Sequence, residues 1–391
     1  MQIFYRPRIT GLGNTDPQHA QGHCSLTGVL RRFVLACCLL NAVLFVTGCA
    51  STPKMEEFVP PVYPPPPADP RFIYERTLKF SSNVEDFTTG DAIKLFATGE
   101  SRKIQTLVKP YGVAVYRGRV YVTDTVDREV MVFDIPGKRF FIIGDRAPGA
   151  LQKPHGIAVS QARQEVYVCD SSTKRVMVYD LDGKFLRSLG SKEIFDRPTG
   201  VAVSPDGSKV YVVDTGGLAS SHHVVVVLDS ISGKVLQTIG SRGSKPGQFN
   251  LPLLDAVAPD GTLYVVDGGN FRVEVFNPDG SFKFKFGSVG RLPGQFARPK
   301  GIATDPQGNI YVVDTAFGNF QIFNPKGQLL MFIGNRGEAA EPGKYMLPAG
   351  IAVDEDGRIY VVDQFFRKVD VFRPYTLKRT EGYAGVLEPR K

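Results

Sequence analysis

The residues of this 391-residue chain that could do chemistry are few: five histidines, five cysteines and a set of regularly spaced aspartates. His155, His222 and His223, with Asp255, form the combination from which a metal centre could be built. That chemistry needs several imidazoles or carboxylates converging on one ion with a coordination position left open. Three histidines from two stretches of sequence are thin support for such convergence, so no metal and no cofactor is expected, and these four residues stand as weak candidates. No GxSxG nucleophile elbow, CxxCH haem-attachment motif or CxxC pair occurs, which leaves a Ser-His-Asp triad, covalent haem and dithiol chemistry unsupported. Asp124, Asp170, Asp214, Asp267, Asp314 and Asp363 each close a Tyr-Val-x-Asp segment, and in four copies an Arg follows closely (Arg128, Arg175, Arg272, Arg367). The recurrence predicts an architectural role, by local pairing or by capping of loop backbone, rather than a ring of metal ligands.

A repeat must position these groups. Segments of the form Pro-x-Gly-(Ile/Val)-Ala begin at Pro110, Pro154, Pro198, Pro252, Pro299 and Pro348, a spacing of 44 to 54 residues that suits propeller blades. In the fifth copy a strand from Gly301 turns at Pro306 to Gly308, and strands follow at Ile310 to Asp314, Gln321 to Phe323 and Leu329 to Ile333. Four antiparallel strands per copy make the chain all-β, a six-bladed β-propeller. The second strand of each copy (VYVTD, VYVCD, VYVVD, LYVVD, IYVVD, IYVVD) is an unbroken apolar run, so both its faces must be covered by neighbouring blades. The sixth copy lacks a turn and fourth strand after Val371. The segment Phe72 to Phe80, FIYERTLKF, is predicted to supply that strand and to close the ring, which removes an exposed sheet edge.

The consensus PxGIAVxxDGxxYVVDxxxxRVxVFxxxGxxxxxFG, with the linker GSVGRLPGQFARP from Gly287 to Pro299, resembles the NHL repeat over residues 72–374. Blade four departs from it, with Leu253, Leu254 and Asp255 after its Pro, and blades three and five have His223 and Asn319 near the place of the usual Arg. The resemblance implies two functional precedents. One is an amidating lyase with channel-lining histidines around zinc, together with lactonases of related folds; here only His155 stands at an inner-strand start, the equivalents being Tyr111, Thr199, Leu253, Lys300 and Ala349. The other is single-stranded RNA binding on a basic face with stacked aromatics. The export signal described next argues against nucleic acid, and the Pro-Gly-Gln-Phe runs 246–249 and 293–296 are expected to plug blade junctions instead.

Arg31 and Arg32 precede the apolar run Phe33 to Val46, which is too short to span a bilayer and suits a signal-peptide core. Val46-Thr47-Gly48-Cys49 resembles a bacterial lipobox, implying that Cys49 is lipidated after removal of residues 1–48; residues 1–28 do not look like a signal start, and initiation near Val29 is expected. Cys169 then remains the sole ordinary thiol, and its place in VYVCD predicts a small core residue. Residues 49–71 read as a Pro-rich extended tether of about 3 Å per residue, residues 72–376 as the propeller and 377–391 as a tail. The formal net charge of +8 falls to +5 without the leader's Arg6, Arg8, Arg31, Arg32 and Asp16. The blade-joining loops alone carry ten Lys and Arg between Arg146 and Lys344 against five Asp and Glu between Asp145 and Glu341. An anionic or polar partner on that long-loop rim is therefore expected, with Arg128, Lys153, His155, Arg175, Arg242, Arg272, Arg291, Lys300, Arg336 and Arg367 as candidate binding residues. The reading is a lipid-anchored binding or assembly module of the bacterial cell envelope, at the outer membrane because Ala50 and Ser51 lack an inner-membrane retention Asp. Its partner is expected to be an envelope protein, with no nucleic acid and no haem. The alternative is a metal-dependent lyase or lactonase with its site at the channel mouth.

Overall fold

The computed structural model describes residues 58–385 apart from Leu218. The leader, Cys49 and the first part of the tether lie outside the described residues. From Pro60 onward the chain forms one unit built of six antiparallel sheets in a ring, each running from an inner to an outer strand. Blade one comprises Pro110–Tyr116, Arg119–Asp124, Glu129–Asp134 and Arg139–Ile143, and blades two to five repeat this pattern from Pro154, Pro198, Pro252 and Pro299.

The apolar second strands are buried along their apolar length, as their composition predicts. Alternate residues face opposite neighbours. In blade one, Val120 and Val122 join the cluster shared with blade six, whereas Tyr121 joins the one shared with blade two. Six apolar clusters result, one at each blade junction. Each blade thus covers its neighbours and cannot bury its own faces alone. Phe249 and Phe296 are fully buried in the clusters of blades three/four and four/five, the plugs expected of the two Pro-Gly-Gln-Phe runs. The glycine closing the preceding blade makes room for each plug. Gly240 and Gly287 sit at φ of +81° and +82°, and a Cβ there would lie 2.3 Å from the Phe249 and Phe296 rings.

Blade six is closed as predicted. Phe72–Leu78 pairs antiparallel with Lys368–Pro374, with Phe72 opposite Pro374 and Leu78 opposite Val369. Two buried polar clusters lock this pairing. Arg358 Nε donates to Glu75 Oε2 at 2.9 Å, both side chains being fully buried, and its other nitrogens reach Glu381 O and Asp356. Lys368 Nζ and Thr77 Oγ1 both donate to Asp370, at 2.7 and 2.6 Å. Two terminal segments are more structured than the sequence suggests. Val62–Tyr63, within the expected tether, adds a fifth strand outside Phe72–Leu78, and Tyr63 packs edge-on against Phe372 at 5.5 Å. The propeller's strands therefore begin inside the segment 49–71 predicted as a tether. In the tail, Ala384 is buried, its carbonyl accepts from Arg76, and Tyr383 N–H donates to Asp356. An excursion between the closing strand and blade one holds a helix, Thr89–Thr98, begun by a Thr88/Asp91 capping box and ended by left-handed Gly99.

Candidate functional site

The strand-end aspartates are architectural. Asp124 accepts from the backbone N–H groups of Val108 and Lys109 on the incoming loop and of Val126 and Asp127 on the outgoing one. Asp170, Asp314 and Asp363 make the same four-donor clamp, and Asp214 and Asp267 make partial versions of it. The alternative of pairing with the following Arg holds for blade four alone, where Arg272 Nε lies 3.0 Å from Asp267. Arg272 is also the correction among the predicted rim residues. It is buried, pairs with Glu274 and donates to the carbonyls of Ser244, Lys245 and Gln248, so it braces a loop and cannot meet a partner. Arg128, Lys153, Arg175, Arg242, Arg291, Arg336 and Arg367 are exposed.

The histidines do not converge. His223 is buried, with Nδ1 accepting from Leu251 N–H and Nε2 facing Gly217 O, so both nitrogens are used structurally. His222 Nδ1 lies 3.5 Å from Asp214, and His155 stands apart from both. Among the described residues no group of three or more His, Cys, Asp or Glu could hold a metal ion. Asp255 occupies the place where other blades put Ile or Val, at the blade three/four junction rather than in the channel. A Cβ on Gly200 would sit 2.7 Å from its Oδ1, and neither carboxyl oxygen has a hydrogen-bond partner. Burial pushes its carboxyl well above the usual range, so folding favours its neutral form over the carboxylate. The native state then keeps a proton that the unfolded chain releases near pH ~3.9, so this group's contribution to stability falls as pH rises through that value. Asp255→Val is expected to remove this component and to stabilise the ring by about 1–3 kcal/mol, read from urea midpoints at acid and neutral pH.

One predicted set does come together. The residues following the starting prolines ring the long-loop end of the channel, and three carry function-bearing groups. Tyr111, though on blade one, packs with the apolar cluster of blades four and five. His155 meets it edge-on at 4.7 Å between ring centroids. Lys300 reaches past Ala349, the small residue of blade six, to place Nζ 4.4 Å from the centre of the Tyr111 ring and 3.2 Å from Gln364 Oε1. Burial, reinforced by Arg298 and Lys109, pulls the Lys300 ammonium down to about 8. Burial also lowers His155 to about 4, with Lys153 and Lys300 adding to the effect. His155 is therefore neutral at pH 7. Its Nδ1 contacts the Lys153 carbonyl at 3.1 Å, an acceptor, so Nδ1 carries the proton and Nε2 keeps its lone pair. Tyr111 and Gln364 had no motif to announce them; the signal was positional, since Tyr111 occupies the same repeat slot as His155 and Lys300. At the opposite end, a cavity of about 330 Å³ opens among the short turns, lined by Val115, Val159, Val203, Val257, Thr304 and Val353 with Asp305, Asp354 and Glu355 at its edge.

A family model described as a 6-bladed beta-propeller matches residues 91–192 and 304–381. A stretch of 48 residues is 44% identical to the E3 ubiquitin-protein ligase TRIM32 of Homo sapiens and, to the same extent, of Mus musculus. That stretch is 12% of this chain, which spans 7% of the length of these curated relatives. Among solved structures, a protein of unknown function from Bacteroides thetaiotaomicron superposes with a TM-score of 0.54 at 19% identity over 76% of each chain. A gluconolactonase from Xanthomonas campestris gives 0.53 at 18% identity over 68% of this chain and 86% of that one. A streptogramin B lyase gives 0.50 at 14% over 68% and 94%. At these identities the likeness extends to the fold. Six junction-packed blades, a closing N-terminal strand and the family match together make this chain a six-bladed β-propeller protein.

Proposed function

We propose that the propeller is of the NHL type, that lipidated Cys49 tethers it in the bacterial cell envelope at the outer membrane, and that its long-loop rim docks an acidic envelope protein. One observation carries the reading of the rim. The strand-end aspartates accept from backbone N–H groups and make no direct ion pair with the loop cations, and Arg128, Lys153, Arg175, Arg242, Arg291, Arg336 and Arg367 have no carboxylate within 4.0 Å among the described residues. Several unpaired cations on one face create a field that steers an acidic partner and favours its docked state. Crosslinking of the tagged full chain in its own cells, with mass spectrometry of what copurifies, tests this. Reversing Arg128, Arg175 and Arg367 to Glu is expected to lower partner recovery about tenfold or more, because like charges facing each other cost several kcal/mol. Unchanged recovery would sink the rim reading. The lyase and lactonase alternative finds support only in fold likeness, since the histidines it would use stand apart.

A further inference from the structure

We propose that the long-loop mouth of the channel is a binding site for a small carboxylate-bearing molecule, held by the Lys300 ammonium on the Tyr111 ring that His155 also touches. This goes beyond the rim reading and stands whether or not a protein docks there. Lys300 is the only lysine at an inner-strand start. It is set below the rim loops, and its ammonium carries three donors. One reaches Gln364, a neutral amide. The Tyr111 ring face stabilises the charge without neutralising it. No carboxylate lies within ion-pair distance among the described residues, although a recessed charge is ordinarily paired.

The surroundings deepen the imbalance. The charged groups bearing on Lys300 are Arg298 on the loop before its own strand, Lys109 before blade one, and Asp363 of blade six. Asp363 is already committed to four backbone donors. Lys300, Arg298 and Lys109 against Asp363 thus leave this end of the channel net positive. Beside it, His155 is neutral and offers Nε2 as an acceptor, and the Tyr111 ring supplies an apolar wall. An ammonium with free donors, an imidazole acceptor and an aromatic face together match a carboxylate attached to a small body with a hydroxyl or other donor. A single ammonium suits a monoanionic carboxylate better than a phosphate dianion, which calls for several converging cations.

The test is calorimetric titration of the full chain with benzoate, lactate and succinate, with inorganic phosphate as the contrasting arm, alongside NMR of reductively methylated lysines to follow the Lys300 resonance. Saturable binding of a carboxylate is expected, with Lys300 moving upward in pKa on binding. Because Lys300 discharges near 8, affinity should fall about tenfold between pH ~7 and ~9, as a single titrating ammonium requires. Lys300→Met should abolish binding. Gln364→Glu, which keeps the ammonium but supplies an internal carboxylate, should do the same while its thermal melt shows a folded ring. Failure of every carboxylate to bind, binding that survives both substitutions, or response to phosphate alone would overturn the proposal. None of these outcomes alters partner recovery by the charge-reversed rim, so the two readings fail separately.

Discussion

Glu75→Ala is expected to destabilise the propeller by about 1.5–3 kcal/mol, the range for losing a buried charge-assisted hydrogen bond, because Arg358 keeps Asp356 as a second carboxylate partner. Its carboxylate and the Arg358 guanidinium are fully buried at 2.9 Å. The pair joins the strand that closes the ring to the turn between the first two strands of blade six. Arg358 also holds the tail through Glu381 O, so the loss would propagate to the segment that contacts Arg76 through Ala384. Urea unfolding of the single variant should show a lowered midpoint with a broadened transition. Glu75→Leu with Arg358→Leu should recover most of the loss, because removing both charges removes the desolvation penalty with the attraction. A single variant within 1 kcal/mol of the parent, roughly the size of an exposed pair, would show that the latch does not hold the ring. Truncation of residues 58–80 removes the closing strand altogether and exposes the edge of Lys368–Pro374, so an aggregation-prone chain is the expected product.

Phe296→Ala should cost about 3–5 kcal/mol, as for other fully buried aromatics. Phe296 fills the junction of blades four and five, with its ring centroid 5.8 Å from that of Phe323. The cavity opens beneath the loop that carries Arg291 and Arg298, so the rim should loosen locally as well. Gly287→Ala is a partner test. It places a Cβ 2.3 Å from the same ring at a φ of +82°, and part of its penalty should vanish when Phe296 is already Ala, the backbone strain remaining. Additive penalties measured by thermal unfolding would contradict the plug-and-glycine account.

The repeat architecture was legible because it rests on local chemistry repeated in register. The unbroken apolar second strands demand two covers, the Gly turns mark hairpins, and a sixth copy lacking its outer strand points to Phe72–Phe80. The Asp clamps were legible as architecture but not in their partner, since backbone N–H donors leave no mark in side-chain sequence. Arg272 was misplaced for the same reason: an Arg four or five residues after Asp looks alike in the four blades that carry one, and only in blade four do three loop carbonyls and Glu274 draw it inward. Asp255 stood out in sequence only as a break in the blade-four consensus, and its register on the inner strand turns it into a blade junction.

Residue pattern was therefore sufficient for the fold class, the blade number, the closure and the rim on which long loops gather, because each follows from periodicity and short-range turn geometry. The latch of Glu75 with Arg358, the docking of Val62–Tyr63 and the meeting of Tyr111, His155 and Lys300 depend on ring closure. They join residues far apart in sequence, and no local signal encodes a distance that exists only after six blades have packed around one axis.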